Sequence, residues 1–163
     1  MANTEGATPN ERLIGAARAD NEDEILEIFD KEQGKYDINF QDGLGNTALH
    51  YAAQTGSLAA MEQLLSHDGC DVDLQNRLGR ETPLHVALKI ESDDLRKEVV
   101  ESLLDAGADT TVKDKSGRAP IDIVAPDSEL WKLMRKAQAE AKMDQEDFAS
   151  DDDGEPGEAS DDD

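Results

Sequence analysis

One short phrase recurs along this chain. It reads Thr47-Ala48-Leu49-His50-Tyr51-Ala52-Ala53 and, 35 residues later, Thr82-Pro83-Leu84-His85-Val86-Ala87-Leu88. A worn third copy, Ala119-Pro120-Ile121-Asp122-Ile123-Val124-Ala125, follows after 37 more. A repeat of that period constrains the fold more than any feature of composition. A unit of this size cannot bury its apolar face alone, so successive units must stack into a solenoid. Such arrays work by presenting a surface, and no catalytic chemistry need accompany them.

The apolar spacing divides the chain into four helical units. In the first, residues 10–34, Leu13, Ile14, Ala16 and Ala17 share one helical face, and Ile25, Leu26, Ile28 and Phe29 share another. Asn21 with Glu24 three residues on predicts a capping box for the second helix. The second unit opens at Asp42-Gly43-Leu44-Gly45-Asn46-Thr47, where Gly45 supplies a positive φ and Thr47 caps the following helix. The third repeats this with Asn76, Gly79 and Thr82, and Pro83 takes the first helical position, where a missing N–H costs nothing. Glu81 is an extra residue there, and residues 90–97 replace a short turn with an insertion that lengthens a helix or makes a loop. The fourth keeps Asp114 and Gly117, but Ala119 stands in the capping position and Asp122 in that of the histidine. A last helix is expected from Ser128 through Leu130, Trp131, Leu133 and Met134.

These residues make the chain resemble the ankyrin-repeat family, in which T-P-L-H-x-A recurs about every 33 residues. The resemblance covers residues 10–142. It implies an all-α ankyrin-repeat solenoid of helix-turn-helix units with β-turn fingers and N- and C-terminal capping units. The motif residues Thr47, His50, Thr82, His85, Gly45, Gly79 and Gly117 are then structural, with each histidine bonding backbone between neighbouring fingers. The layout also resembles short fungal ankyrin-repeat proteins with an acidic C-terminal tail, some of which escort basic ribosomal proteins.

Charge is the second constraint. There are 39 acidic against 16 basic residues, a net of −23. Residues 144–163 hold 11 of the acids and no base, and removing them leaves 28 acidic against 16 basic groups. Both parts repel phosphate backbones, so nucleic acid is not the expected partner and a basic protein is. Residues 1–9 are expected to be a flexible arm and 143–163 a disordered acidic tail, because the tail is almost without apolar side chains. Such a tail either solubilises the chain or draws and screens a basic partner. Ser150 and Ser160 each precede three aspartates and resemble acidophilic kinase sites.

No apolar run reaches the ~20 residues of a membrane span, and residues 1–10 lack a signal-peptide layout. Cys70 is the single cysteine, so no internal disulfide can form. A monomer in the cytoplasm is expected, with passive passage to the nucleus open to a chain this small.

No catalytic, metal or cofactor site is expected. The histidines have no zinc-type spacing to Cys70, and Cys70 beside His67 reads as a packed thiol after a turn. The variable surface of the family instead maps onto Leu44, Asn46, Gln54, Arg77, Leu78, Arg80, Lys89, Lys115 and Arg118. Five of these are basic in an acidic chain. Leu44 and Leu78 are apolar where a turn is ordinarily polar. The nine are read either as ordinary surface or as a recognition strip with a basic edge. The expected function is non-enzymatic protein binding, as an escort for a basic protein such as a ribosomal protein. The alternative is an adaptor that docks an acidic motif on the basic strip, its tail solubilising or autoinhibitory.

Overall fold

A computed structural model describes the backbone of residues 6–159 and the side chains of residues 6–145. The chain forms helices α1 (Pro9–Arg18), α2 (Glu22–Lys31), α3 (Ala48–Thr55), α4 (Leu58–Ser66), α5 (Pro83–Ala87), α6 (Asp93–Asp105), α7 (Pro120–Ile123) and α8 (Glu129–Ala159). They stack in two rows. Inner α1, α3 and α5 pack in sequence against one another, and outer α2, α4, α6 and α8 do the same.

Capping chemistry starts each inner helix. Thr8 Oγ1 accepts from Glu11 N–H while Glu11 Oε1 accepts from Thr8 N–H, which moves the start of α1 ahead of residue 10. Thr47 and Thr82 accept from the backbone N–H of His50 and His85, and each histidine ring accepts from its threonine's N–H in return. Such a cap contributes ~1 kcal/mol. In the fourth unit Ala119 has the same extended backbone but no side-chain acceptor, and only the reciprocal bond from its N–H to Asp122 Oδ2 survives. Asn21 Oδ1 accepts from Glu24 N–H at the start of α2, without the return bond of a full box.

The core runs between the two rows. Leu13, Ile25, Ile28, Met61, Leu64, Leu84, Val99, Val100, Leu103 and Met134 are all sealed in it. Ala52, Ala53, Ala60 and Ala87 are buried too, small enough for the helices to approach closely. Gly56 ends α3 in the left-handed region at φ 71°. A Cβ there would meet Leu95 Cδ2 at 2.4 Å, so α6 lies directly over that turn. The insertion of residues 90–97 resolves into a short loop and a 13-residue α6 capped by Ser92, while α5 shrinks to five residues.

Two expectations are corrected. No β-strand forms among the described residues, so the expected β-turn fingers do not form paired β structure and the segments between units are loops, closed by the bonds Gly45 N–H to Asp42 carbonyl and Gly117 N–H to Asp114 carbonyl. The reason lies in their bonding. Asp42, Asn76 and Asp114 each bind two backbone N–H groups of their own loop. Adjacent loops then share a single backbone bond, Arg77 N–H to the Leu44 carbonyl and Lys115 N–H to the Gly79 carbonyl. Side-chain bonds of this kind compete with a strand ladder.

Next, the positive φ expected at Gly79 falls on Arg80 at 53°, whereas Gly45 and Gly117 hold it at 81° and 82°. The extra Glu81 shifts the loop by one residue. The described backbone of α8 runs as far as Ala159. Extending a helix already anchored by the core avoids the nucleation step that an isolated peptide must make. Residues 1–5 and Ser160, and the side chain of Ser150, lie outside the described residues.

Candidate functional site

The motif histidines join one unit to the next. His50 Nε2 donates to the Glu81 carbonyl at 2.8 Å, and His85 Nε2 donates to the Arg118 carbonyl at 2.9 Å. In each ring Nδ1 faces the threonine N–H, so the proton resides on Nε2. Burial holds the His50 imidazole below its ordinary value, against the pull of the Glu81 carbonyl. A glutamine pair repeats the linkage: Gln41 Nε2 bridges the Gly45 and Gln75 carbonyls, and Gln75 Nε2 bridges those of Arg80 and Lys113. These bonds hold the inter-unit loops in register and leave their tips for solvent.

The tips carry the side chains singled out by the sequence. Leu44 and Leu78 are 50% and 68% exposed and sit in adjacent loops joined through the Leu44 carbonyl. Arg77 stands beside Leu78, and its guanidinium reaches the Gly43 carbonyl at 3.3 Å. Arg80 contacts Gln75 Oε1 at 3.4 Å, and Lys115 and Arg118 are exposed in the last loop. Gly45 is required under this edge, because a Cβ on it would lie 2.4 Å from Arg77 N.

The rest of the set is less uniform. Lys89 pairs with Glu81 at 2.7 Å, which neutralises it. Asn46 is half-buried and accepts from Asn76 Nδ2, so it links the loops. Gln54 is exposed on α3. Arg77, Leu78, Arg80, Lys115 and Arg118 therefore make one continuous loop edge with Leu44, and Lys89 and Asn46 serve its scaffold.

Other candidate chemistry dissolves into packing. Burial pushes the Cys70 thiol up to about 11, the wrong direction for a nucleophile. His67 is held by Tyr36 Oη at 2.8 Å and by the Asp68 carbonyl at 2.6 Å, against Phe29. No group of three or more metal-ligating side chains occurs among the described residues. In the searched residues no helix is long and apolar enough to cross a membrane.

Sequence reasoning missed a second surface, the grooves between outer helices. One of about 550 Å³ lies between α4 and α6, and a smaller one of about 180 Å³ lies between α6 and α8. The signal was present as Glu62, Glu98, Glu101 and Asp105, but surface acids in an acidic chain are easily read as solvation alone.

Comparison with known proteins accords with this geometry. Residues 13–114 match the profile described as ankyrin repeats in three copies. The chain is similar to an ankyrin repeat-containing protein of Saccharomyces cerevisiae, 34% identical over 147 residues that span 83% of this chain and 81% of that one. It is also 33% identical to human ankyrin repeat domain-containing protein 53 and 34% identical to human ankyrin repeat and SOCS box protein 9. Those two matches cover 55% and 53% of this chain but 17% and 27% of the human proteins.

Proposed function

The chain belongs to the ankyrin-repeat family, whose fold is a non-catalytic protein-interaction module, and from that premise we propose that it escorts a basic protein. The observation that supports this is the charge, 39 acids against 16 bases, spread over both the repeat domain and the tail. An acidic field raises the encounter rate with a cationic partner and screens that partner from nucleic acid. A newly made ribosomal protein is the concrete client. In this reading residues 10–142 recognise a segment of the client and residues 143–163 draw and shield it. The escort is a monomer of the cytoplasm and nucleus that does not itself bind nucleic acid, and phosphate on Ser150 or Ser160 would add about −1.5 to −2 charges each. The likeness to short fungal proteins with acidic tails belongs to the same reading.

The test is a holding assay. At physiological salt the purified chain should keep a purified ribosomal protein soluble. A full-length variant whose acids in 144–163 are replaced by Asn and Gln should do so less well. A client that precipitates equally with and without the chain contradicts the proposal.

One observation favours a second reading. Arg77, Arg80, Lys115 and Arg118 share an exposed loop edge with two exposed leucines, a surface suited to an acidic peptide with an apolar anchor. Under that adaptor reading, changing Arg77, Arg80 and Arg118 to Glu abolishes capture of an acidic partner while circular dichroism stays native.

A further inference from the structure

The groove between α4 and α6 stands out from its neighbours in the outer row. It is lined by half-buried Leu58 and Leu65, by Ala106, and by Glu62, Glu98, Glu101 and Asp105. Leu58 and Leu65 pack against the core. No basic side chain lines it, and none of these four carboxylates pairs with a cation among the described residues. The other contacts between outer helices are settled internally. Glu22 on α2 accepts from Gln63 on α4 at 2.8 Å, and Lys97 on α6 pairs with Glu129 on α8. The smaller groove beyond α6 carries its own cation, Lys136.

Glu62 on α4 and Glu98, Glu101 and Asp105 on α6 line the same groove, so like charges gather along it, while Glu101 and Asp105 also border the next groove, where Lys136 stands. Asp105 also occupies the last turn of α6, and α4 and α6 have no base in their last turns. A helix C-terminus carries about half a negative charge, so a carboxylate there is repelled and a cation is attracted. Two helix ends and four carboxylates thus sum to one negative field beside Leu58 and Leu65.

Resting on the reading that the partner is basic, we propose that this outer groove, and not the inner loop edge, seats it, the occupant being an amphipathic helical segment of a cationic protein. The segment lays leucine-like side chains on Leu58 and Leu65 and directs lysines or arginines to the four carboxylates. This is the helix-in-groove mode, with charge complementarity setting orientation and encounter. Because the segment binds only the folded groove, the loaded protein is more resistant to unfolding than the free one.

The experiment titrates the full chain with a synthetic amphipathic helical peptide of leucine and lysine, followed by calorimetry and by chemical-shift mapping. A scrambled peptide of the same composition is the control. The expected result is shifts concentrated in Leu58–Ser66 and Asp93–Asp105, with the scrambled peptide at least tenfold weaker. Changing Glu62, Glu98, Glu101 and Asp105 together to Gln should weaken binding at least tenfold and leave the fold intact, because none of the four belongs to the core. Changing the acids of 144–163 to Asn and Gln should leave the mapped site where it is. Binding that vanishes with the tail acids and ignores the groove variant overturns the groove but leaves a basic partner standing. Shifts confined to residues 43–46, 77–80 and 115–118 overturn it too. Failure to bind either cationic peptide at physiological salt overturns the groove and removes support for a basic partner as well.

Discussion

His50 and Glu81 lie 31 residues apart in sequence, yet the imidazole Nε2 of the first donates to the main-chain carbonyl of the second at 2.8 Å. The same ring caps its own helix through Thr47. One side chain therefore starts a helix in its own unit and fixes the loop of the next, and His85 does the same for Arg118.

His50→Ala should lower stability by about 1–3 kcal/mol, since it removes the bond to the Glu81 carbonyl, which keeps only the Asn76 N–H, and half of the Thr47 cap. Its pH dependence has a definite sign. The folded-state pKa lies below the ordinary 6.5, so the unfolded chain binds the proton more readily. The contribution is full above 6.5 and is lost as pH falls from 6.5 through the lower folded value. Denaturant midpoints of wild type and variant across pH 5–8 check this, and the variant's profile should be the flatter one.

Asp73→Asn should stabilise the protein at neutral pH. Asn39 accepts from Asp71 N–H and donates to the Gly69 carbonyl, and Asp73 holds the equivalent place one unit on, accepting from Asp109 N–H. A carboxylate has no hydrogen to give there. Burial raises its pKa above 3.8, with Asp109 and Asp71 adding to the rise. Stability is accordingly lost as pH climbs from 3.8 through the folded value. The asparagine should gain about 1 kcal/mol at pH 7 from one restored hydrogen bond, and nothing below pH 3.8. Paired chemical melts at the two pH values are the measurement.

Ala119→Thr should raise the melting midpoint. Ala119 has φ −87° and ψ 161°, close to the −95° and 173° of Thr47, so the backbone is already set for a capping hydroxyl. A restored cap contributes ~1 kcal/mol. Calorimetry of the single variant reads it, and a lowered midpoint would mean that the site is too full for the added atoms.

Leu84→Ala and Leu44→Ala should differ sharply. Leu84 is fully buried, and its truncation should cost roughly 2–5 kcal/mol. Leu44 is 50% exposed at a loop tip, where the change should stay within about 0.5 kcal/mol. Urea unfolding of both variants tests the register of the whole array.

The repeat motif made the helices, the threonine caps and the buried Leu84 legible, because each depends on residues close together in the chain. The loops were harder. Strand pairing there loses to side-chain bonds from Asp42, Asn76 and Asp114, a competition between local alternatives that no spacing reveals. The move of positive φ from Gly79 to Arg80 follows from the one-residue insertion at Glu81, which sequence located without showing where the chain would absorb it. The basic loop edge was legible as scattered charges, yet only the fold shows that Lys89 is spent on Glu81. The outer groove was hidden because Glu62 and Glu98 are 36 positions apart and meet only when two outer helices pack side by side.

On the escort proposal, this protein binds a basic protein through charge-assisted contacts. Affinity capture on the immobilised full chain from its own cells, at low salt and at 0.5 M salt, tests it most directly when the captured proteins are identified by mass spectrometry. The captured set should be dominated by proteins of high isoelectric point, released by the salt as screening shortens the Debye length from ~10 Å at 0.1 M. A set dominated by acidic proteins, or one indifferent to salt, contradicts it.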